Sequence, residues 1–208
     1  MPENPTRRVA RLILLVLGIV GVGIYCEAWL YRTGYQLYES WKFDHEKVED
    51  VRPVPAKHVA LPAVLPDPDR GVAKSPLDGE GGVLGRISIP RLHLSAIVEE
   101  GVDEATLSRA VGHIPGTALP GEIGNMGIAG HRDTFFQKLK DLQPHDEIDF
   151  TTHSGRYRYT VDGLTVVEPS DVSVLASKGG KVLTIVTCFP FHYIGAAPRR
   201  FIVHAVAE

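Results

Sequence analysis

Hydrophobic and polar positions follow three regimes along this chain. From Leu12 to Tyr31 every residue is apolar except Glu27, in the run "LILLVLGIVGVGIYCEAWLY". A helix of about 20 residues at ~1.5 Å rise per residue crosses a hydrocarbon core of ~30 Å. The run therefore predicts a transmembrane anchor over 12–31, with 1–11 on its N-terminal side. Arg7, Arg8 and Arg11 precede it, and arginines on that flank favour an N-terminus in the cytoplasm with everything after Tyr31 exported. Trp29, Tyr31 and Tyr35 fall where amphipathic rings settle at the outer interface. The residues around the end of the run, "YCEAWLYRTG", are bulky where a signal peptidase takes small residues, so the anchor is read as uncleaved. Ile24 and Tyr25 ahead of Cys26 argue in the same way against a lipid-modified cysteine.

The second regime lacks periodicity. Residues 34–46 extend the helical pattern beyond the apolar run, and 47–82 hold six prolines. Together, 32–82 read as an extracytoplasmic helix followed by an extended, partly polyproline II spacer that holds a domain away from the bilayer. Within it, Asp67–Gly71 is a candidate to fold back over a site.

The third regime begins at Val83 and has the short period of strands. "VLGRISIP", "LHLSAIVEEG", "NMGIAG", "DEIDFTTH", "RYRYTVDGLTVVEP", "KVLTIVTC" and "RRFIVHAVAE" alternate or run apolar over strand lengths. "VDEATLSRAVG" predicts a short helix with Asp103 near its start, and "DTFFQKLKDL" a helical turn or two. Roughly eight strands with one or two short helices make 83–208 a mainly β domain, a closed or nearly closed eight-stranded β-barrel.

Composition narrows the class. A net charge of −3 with 23% charged residues gives no basic footprint, which excludes a nucleic-acid partner. The 21 glycines and 15 prolines suit turns between strands better than a helical bundle. Only two cysteines occur. Cys26 belongs to the anchor, which leaves Cys188 as the one thiol of the exported part, where an unpaired thiol is a liability unless it is used.

Cys188 ends a β-branched run. By position alone it is equally a nucleophile or a buried small apolar residue. Cysteine catalysis needs a basic partner and a donor for the oxyanion. His131 closes the strand "GIAG", with small Ala129 and Gly130 leaving room beside it, and can face the cysteine across a groove. His93, His145, His153 and His204 sit in strands or turns without a companion motif, and His192 is too near the cysteine in sequence to face it. Arg200 begins the next strand, so a strand–loop–strand hairpin brings its guanidinium beside the thiol, and Arg199 takes the role of solvated charge. Glu99, Glu100 and Asp103 read as a solvated turn, not a metal site.

"GHIPGTALPGEIGN", "NMGIAGHRDTFF", "TIVTC" with "FPF" behind it, and "APRRFIVHA" occur in this order over about 83–206. Together they resemble sortases, the membrane-anchored cysteine transpeptidases of bacterial surfaces, and class D sortases most of all. The resemblance implies a sortase-type barrel with Cys188 as nucleophile, His131 as proton donor and acceptor, and Arg200 positioning substrate and steadying the oxyanion. Thr187, Ala129 and Phe189 are then expected to contact substrate. Phe189 stands where many relatives have tyrosine or another residue. The implied partners are exported proteins with a C-terminal LPxTG-like sorting signal and an amine acceptor from a cell-wall precursor or a pilin, with no cofactor. Two alternatives stand beside it. An L,D-transpeptidase-like cell-wall enzyme would carry Gly before its cysteine, where Thr187 stands here. A catalytically inert, membrane-tethered binding module would have no use for three reactive groups.

Overall fold

The computed structural model describes residues 5–45, 82–177, 179–193 and 195–208. The expected proline-rich spacer, with Asp67–Gly71, lies outside them apart from Gly82. Helix α1 runs from Pro5 to His45. Its apolar side chains find no protein partner along the expected anchor (Leu14 is 69% exposed). Among the described residues it is the one helix long and apolar enough to cross a membrane.

Eight strands follow: β1 (Val83–Ile89), β2 (Leu94–Glu100), β3 (Val111–His113), β4 (Gly124–Gly130), β5 (Glu147–Thr152), β6 (Gly155–Val167), β7 (Lys181–Phe189) and β8 (Arg199–Ala207). They close into a barrel in the order β1-β2-β3-β4-β7-β8-β6-β5, with β5 returning to β1. Closure pairs every edge, so no strand is left as a template for another chain. The period of two puts Ile87, Ile89, Ile128, Leu183, Ile185 and Val203 inside. Two joins are parallel, β2 with β3 and β4 with β7, and the second builds the site.

Between β2 and β3 lies α2 (Glu104–Arg109), started by Asp103, whose carboxylate accepts the Thr106 N–H at 3.1 Å. The short helix expected there, with Asp103 at its start, is present, while β3 has no counterpart in the sequence pattern. The helix stops at Arg109 because residues 111–113 pair with β2 and β4 instead. Gly112 allows this close approach: a Cβ there would meet the Gly101 carbonyl oxygen at 2.1 Å.

The solvated turn expected at Glu99, Glu100 and Asp103 is not what forms. Glu99 is 2% exposed. It accepts hydrogen bonds from Arg109 Nη2 at 2.7 Å and from the Tyr35 hydroxyl at 2.6 Å. Glu100 pairs with His113, itself buried. The Tyr35 bond belongs to a larger contact: the last third of α1 packs along the barrel. Gln36 accepts the Ile97 N–H at 3.0 Å and donates to the Arg109 carbonyl at 2.7 Å. Arg86 on β1 reaches Asp44 at 3.0 Å and the Ser40 carbonyl at 2.9 Å, with its guanidinium over the Phe43 ring. The helical extension past the apolar run is thus present, and it holds the barrel against itself.

Candidate active site

The site is a consequence of register. β4 and β7 run parallel with Gly130 opposite Thr187, so the next residue on each, His131 and Cys188, leaves the barrel at the same rim. β7 and β8 are antiparallel with Cys188 opposite Arg200. Directly opposed residues project from the same face of a sheet, which puts Arg200 on the side of the thiol. Alternation decides which side that is. Leu183 and Ile185 point into the core and Thr187 is buried with them, so Cys188 points outward.

There it meets a cavity of about 370 Å³ lined by His131, Arg132, Asp133, Cys188, Gly195, Ala196, Ala197 and Arg200. Both cysteines are free, Cys26 exposed and Cys188 half-buried.

Gly130 sets the position of His131. A Cβ on Gly130 would sit 2.8 Å from the Phe136 ring, and Phe136 is fully buried. The chain after His131 folds back through the bond from the Phe136 N–H to the His131 carbonyl at 3.1 Å. On the other side, the Thr187 hydroxyl donates to the Gly130 carbonyl at 2.7 Å. The two strand ends that carry His131 and Cys188 are pinned to each other one residue below.

Arg200 Nη1 donates to the carbonyls of Ala197 at 3.3 Å and Arg199 at 3.1 Å. Arg199 pairs loosely with Glu168 at 3.7 Å, exposed on both sides. The β7–β8 loop, residues 190–198, leaves over a cluster of three rings, Phe189, Phe191 and Phe201, whose closest pair has centroids 5.2 Å apart.

Of the six residues singled out from the sequence, His131, Cys188 and Arg200 share the cavity. Thr187, Ala129 and Phe189 do not line it. Thr187 ties β4 to β7, and Phe189 holds the loop base. Ala129 is half-buried beside Val186, on the outward face that carries Cys188. Arg132 and Asp133, which follow His131 in "GHRD", line the cavity as well, and nothing in the local sequence pattern marks them for a role. Among the described residues no three His, Cys, Asp or Glu side chains gather where a metal ion could sit.

A model of the sortase domain matches residues 87–208. This chain belongs to the sortase family. Membership of the sortase family takes the place of the L,D-transpeptidase alternative. Over 200 residues the chain is 25% identical to Sortase D of Bacillus subtilis, covering 95% of this chain and 97% of that one. It also resembles the Clostridium perfringens Sortase D5 transpeptidase, with a TM-score of 0.56 at 34% identity over 61% of this chain and 79% of that chain. A lid mutant of Sortase A from Corynebacterium diphtheriae superposes with a TM-score of 0.59 at 34% identity, covering 64% and 74%. The class D likeness thus extends over nearly the whole sortase sequence, N-terminal helix included.

Proposed function

We propose that this sortase cleaves an LPxTG-like sorting signal through a thioester on Cys188 and transfers the acyl group to an amine. The observation that carries the reading is the double register, Gly130 with Thr187 and Cys188 with Arg200, which gathers thiol, imidazole and guanidinium around one cavity.

The Cys188 thiolate attacks the carbonyl carbon of the signal's threonine, and the carbonyl π electrons move onto oxygen. Arg200 and the backbone N–H of Phe189 donate to that oxyanion; Pro190 has no N–H to give. The C–N bond then breaks, and His131 gives its proton to the departing amine of the glycine. An acceptor amine attacks the thioester carbonyl, loses a proton to His131, and expels the thiolate. For Arg200 to meet the oxyanion it exchanges its bonds to the Ala197 and Arg199 carbonyls for the substrate.

In the same reading α1 spans the cytoplasmic membrane once with its N-terminus inside, as the flanking arginines favour, and the barrel works on the outer side. Its donors are exported proteins carrying the signal, and its acceptors are amines of a cell-wall precursor or a pilin.

The test is turnover of LPxTG- and LPxTA-type peptides with an added peptide amine by the full chain in detergent. Transpeptidation product is expected from wild type, and none from Cys188→Ala. Hydrolysis alone would argue for a peptidase, and complete inactivity of a folded protein for the binding-module alternative.

A further inference from the structure

The residue after His131 is an arginine whose contacts do not lead back to β4. Arg132 Nη2 donates to two carbonyls of the β7–β8 loop, Tyr193 at 2.6 Å and Gly195 at 3.2 Å. Its guanidinium lies over the Tyr193 ring, 5.7 Å from the centroid. Nη1 is buried with no acceptor. Arg200 also reaches this loop, at the Ala197 carbonyl through a longer bond of 3.3 Å, and bonds the carbonyl of its own neighbour Arg199 at 3.1 Å. The loop backbone is therefore held from two sides, and its Gly195, Ala196 and Ala197 form a wall of the reactive cavity.

We infer that Arg132 is a positioning residue, a latch that fixes the β7–β8 loop against the His131 strand end and so sets the width of the cleft into which the acyl donor enters. The inference rests on the cavity being the acyl-transfer site proposed above. Two arginines on one loop divide the work by geometry. Arg132 acts through the loop, by a short charged bond and a cation–π contact with Tyr193, which hold through the reaction. Arg200 makes longer bonds and is the one released to substrate.

The latch uses one nitrogen, Nη2, shared between two carbonyls, with the guanidinium carbon over the Tyr193 ring. A lysine keeps the charge, but its compact, strongly hydrated ammonium does not reproduce the weakly hydrated guanidinium's contact with the ring. Leaving Nη1 buried without an acceptor is tolerated because these contacts offset it.

The test compares wild type, Arg132→Lys and Arg132→Met, as full chains in detergent, with three readouts. The first is the rate at which iodoacetamide alkylates Cys188, resolved from Cys26 by peptide mass. The second is amide exchange of residues 191–197. The third is KM and kcat for a signal peptide. The latch predicts faster alkylation and faster loop exchange in both variants. It also predicts a KM raised by about tenfold or more with kcat within about twofold, the size expected for losing hydrogen bonds from a charged donor.

Unchanged alkylation and exchange would overturn it. So would a fall in kcat at constant KM, which would put Arg132 on the reacting atoms, or full rescue by lysine, which would make charge alone sufficient. If wild type turns over no peptide, the proposed function fails. Alkylation and exchange still decide the latch. If Arg132→Met fails to fold, Arg132→Lys carries the comparison.

Discussion

At the scale of single residues, the reactive groups divide into those the sequence announces and those only register assigns. Cys188 and His131 each end a recognisable apolar strand, and Arg200 opens the next one, so their types and positions carry the chemistry. The outward face that Ala129 shares with Val186 and Cys188, and the bonds of Arg132 to the loop, depend on which strand parity faces the core. That parity is settled by the closed barrel and not by local pattern. Thr187 shows the same limit: beside Cys188 in sequence, it points the other way and bonds Gly130. Replacing Arg200 by alanine removes the proposed oxyanion donor and should lower kcat by about 10²–10³, the usual effect of losing one such donor. Steady-state kinetics with the fold checked by circular dichroism measures it. Thr187→Val removes one buried hydrogen bond and strands the Gly130 carbonyl, so a loss of about 1–3 kcal/mol in urea unfolding is expected.

At the scale of elements, β4 and its return through Phe136 form the platform for the histidine. Phe136→Ala empties a fully buried ring site and should cost about 3–5 kcal/mol, read by chemical denaturation. Gly130→Ala drives a methyl to within 2.8 Å of that ring, and is expected to lower activity as well as stability because His131 moves with it.

Two buried carboxylates fasten the far side of the barrel. Hydrogen bonding from Arg91 holds Asp146 below the usual carboxylate range, against the opposing effect of burial. Asp149, on β5, is held down by Arg156 first and further by Arg158, again against burial. Each folded-state pKa lies below its unfolded value of about 3.9. The stability they add is therefore full above about pH 4 and is lost as pH falls below it through the folded values. Thermal melts between pH 7 and pH 2.5 should show this acid limb. Asp149→Asn should lower the melting temperature at pH 7 and flatten the limb. β3 is not legible in the sequence because three residues are too few to show a period, and the burial of Glu99 is not legible because its partner Tyr35 lies 64 positions away.

For the whole molecule, the docked end of α1 ties the candidate membrane helix to the barrel. Tyr35, Gln36, Ser40 and Asp44 bind β1, β2 and α2, so under the proposed anchoring of 12–31 this contact would set the barrel's orientation to the bilayer. A chain starting after residue 45 leaves the Glu99 carboxylate with Arg109 alone and uncovers the Ile97 amide. Its melting temperature should fall by several degrees, since ~1 kcal/mol moves Tm by about 4 °C in a domain of this size. Unchanged stability would mean that the barrel and helix are independent.

The measurement that tests the central claim most directly is the intact mass of the full chain after brief exposure to a signal peptide without an acceptor amine. The account predicts an added mass equal to the acyl part through threonine, located on Cys188. It is released by an amine, absent in Cys188→Ala and sharply reduced in His131→Ala and Arg200→Ala. A folded protein whose Cys188 alkylates readily, yet gains no acyl mass from any peptide of the panel, would contradict it.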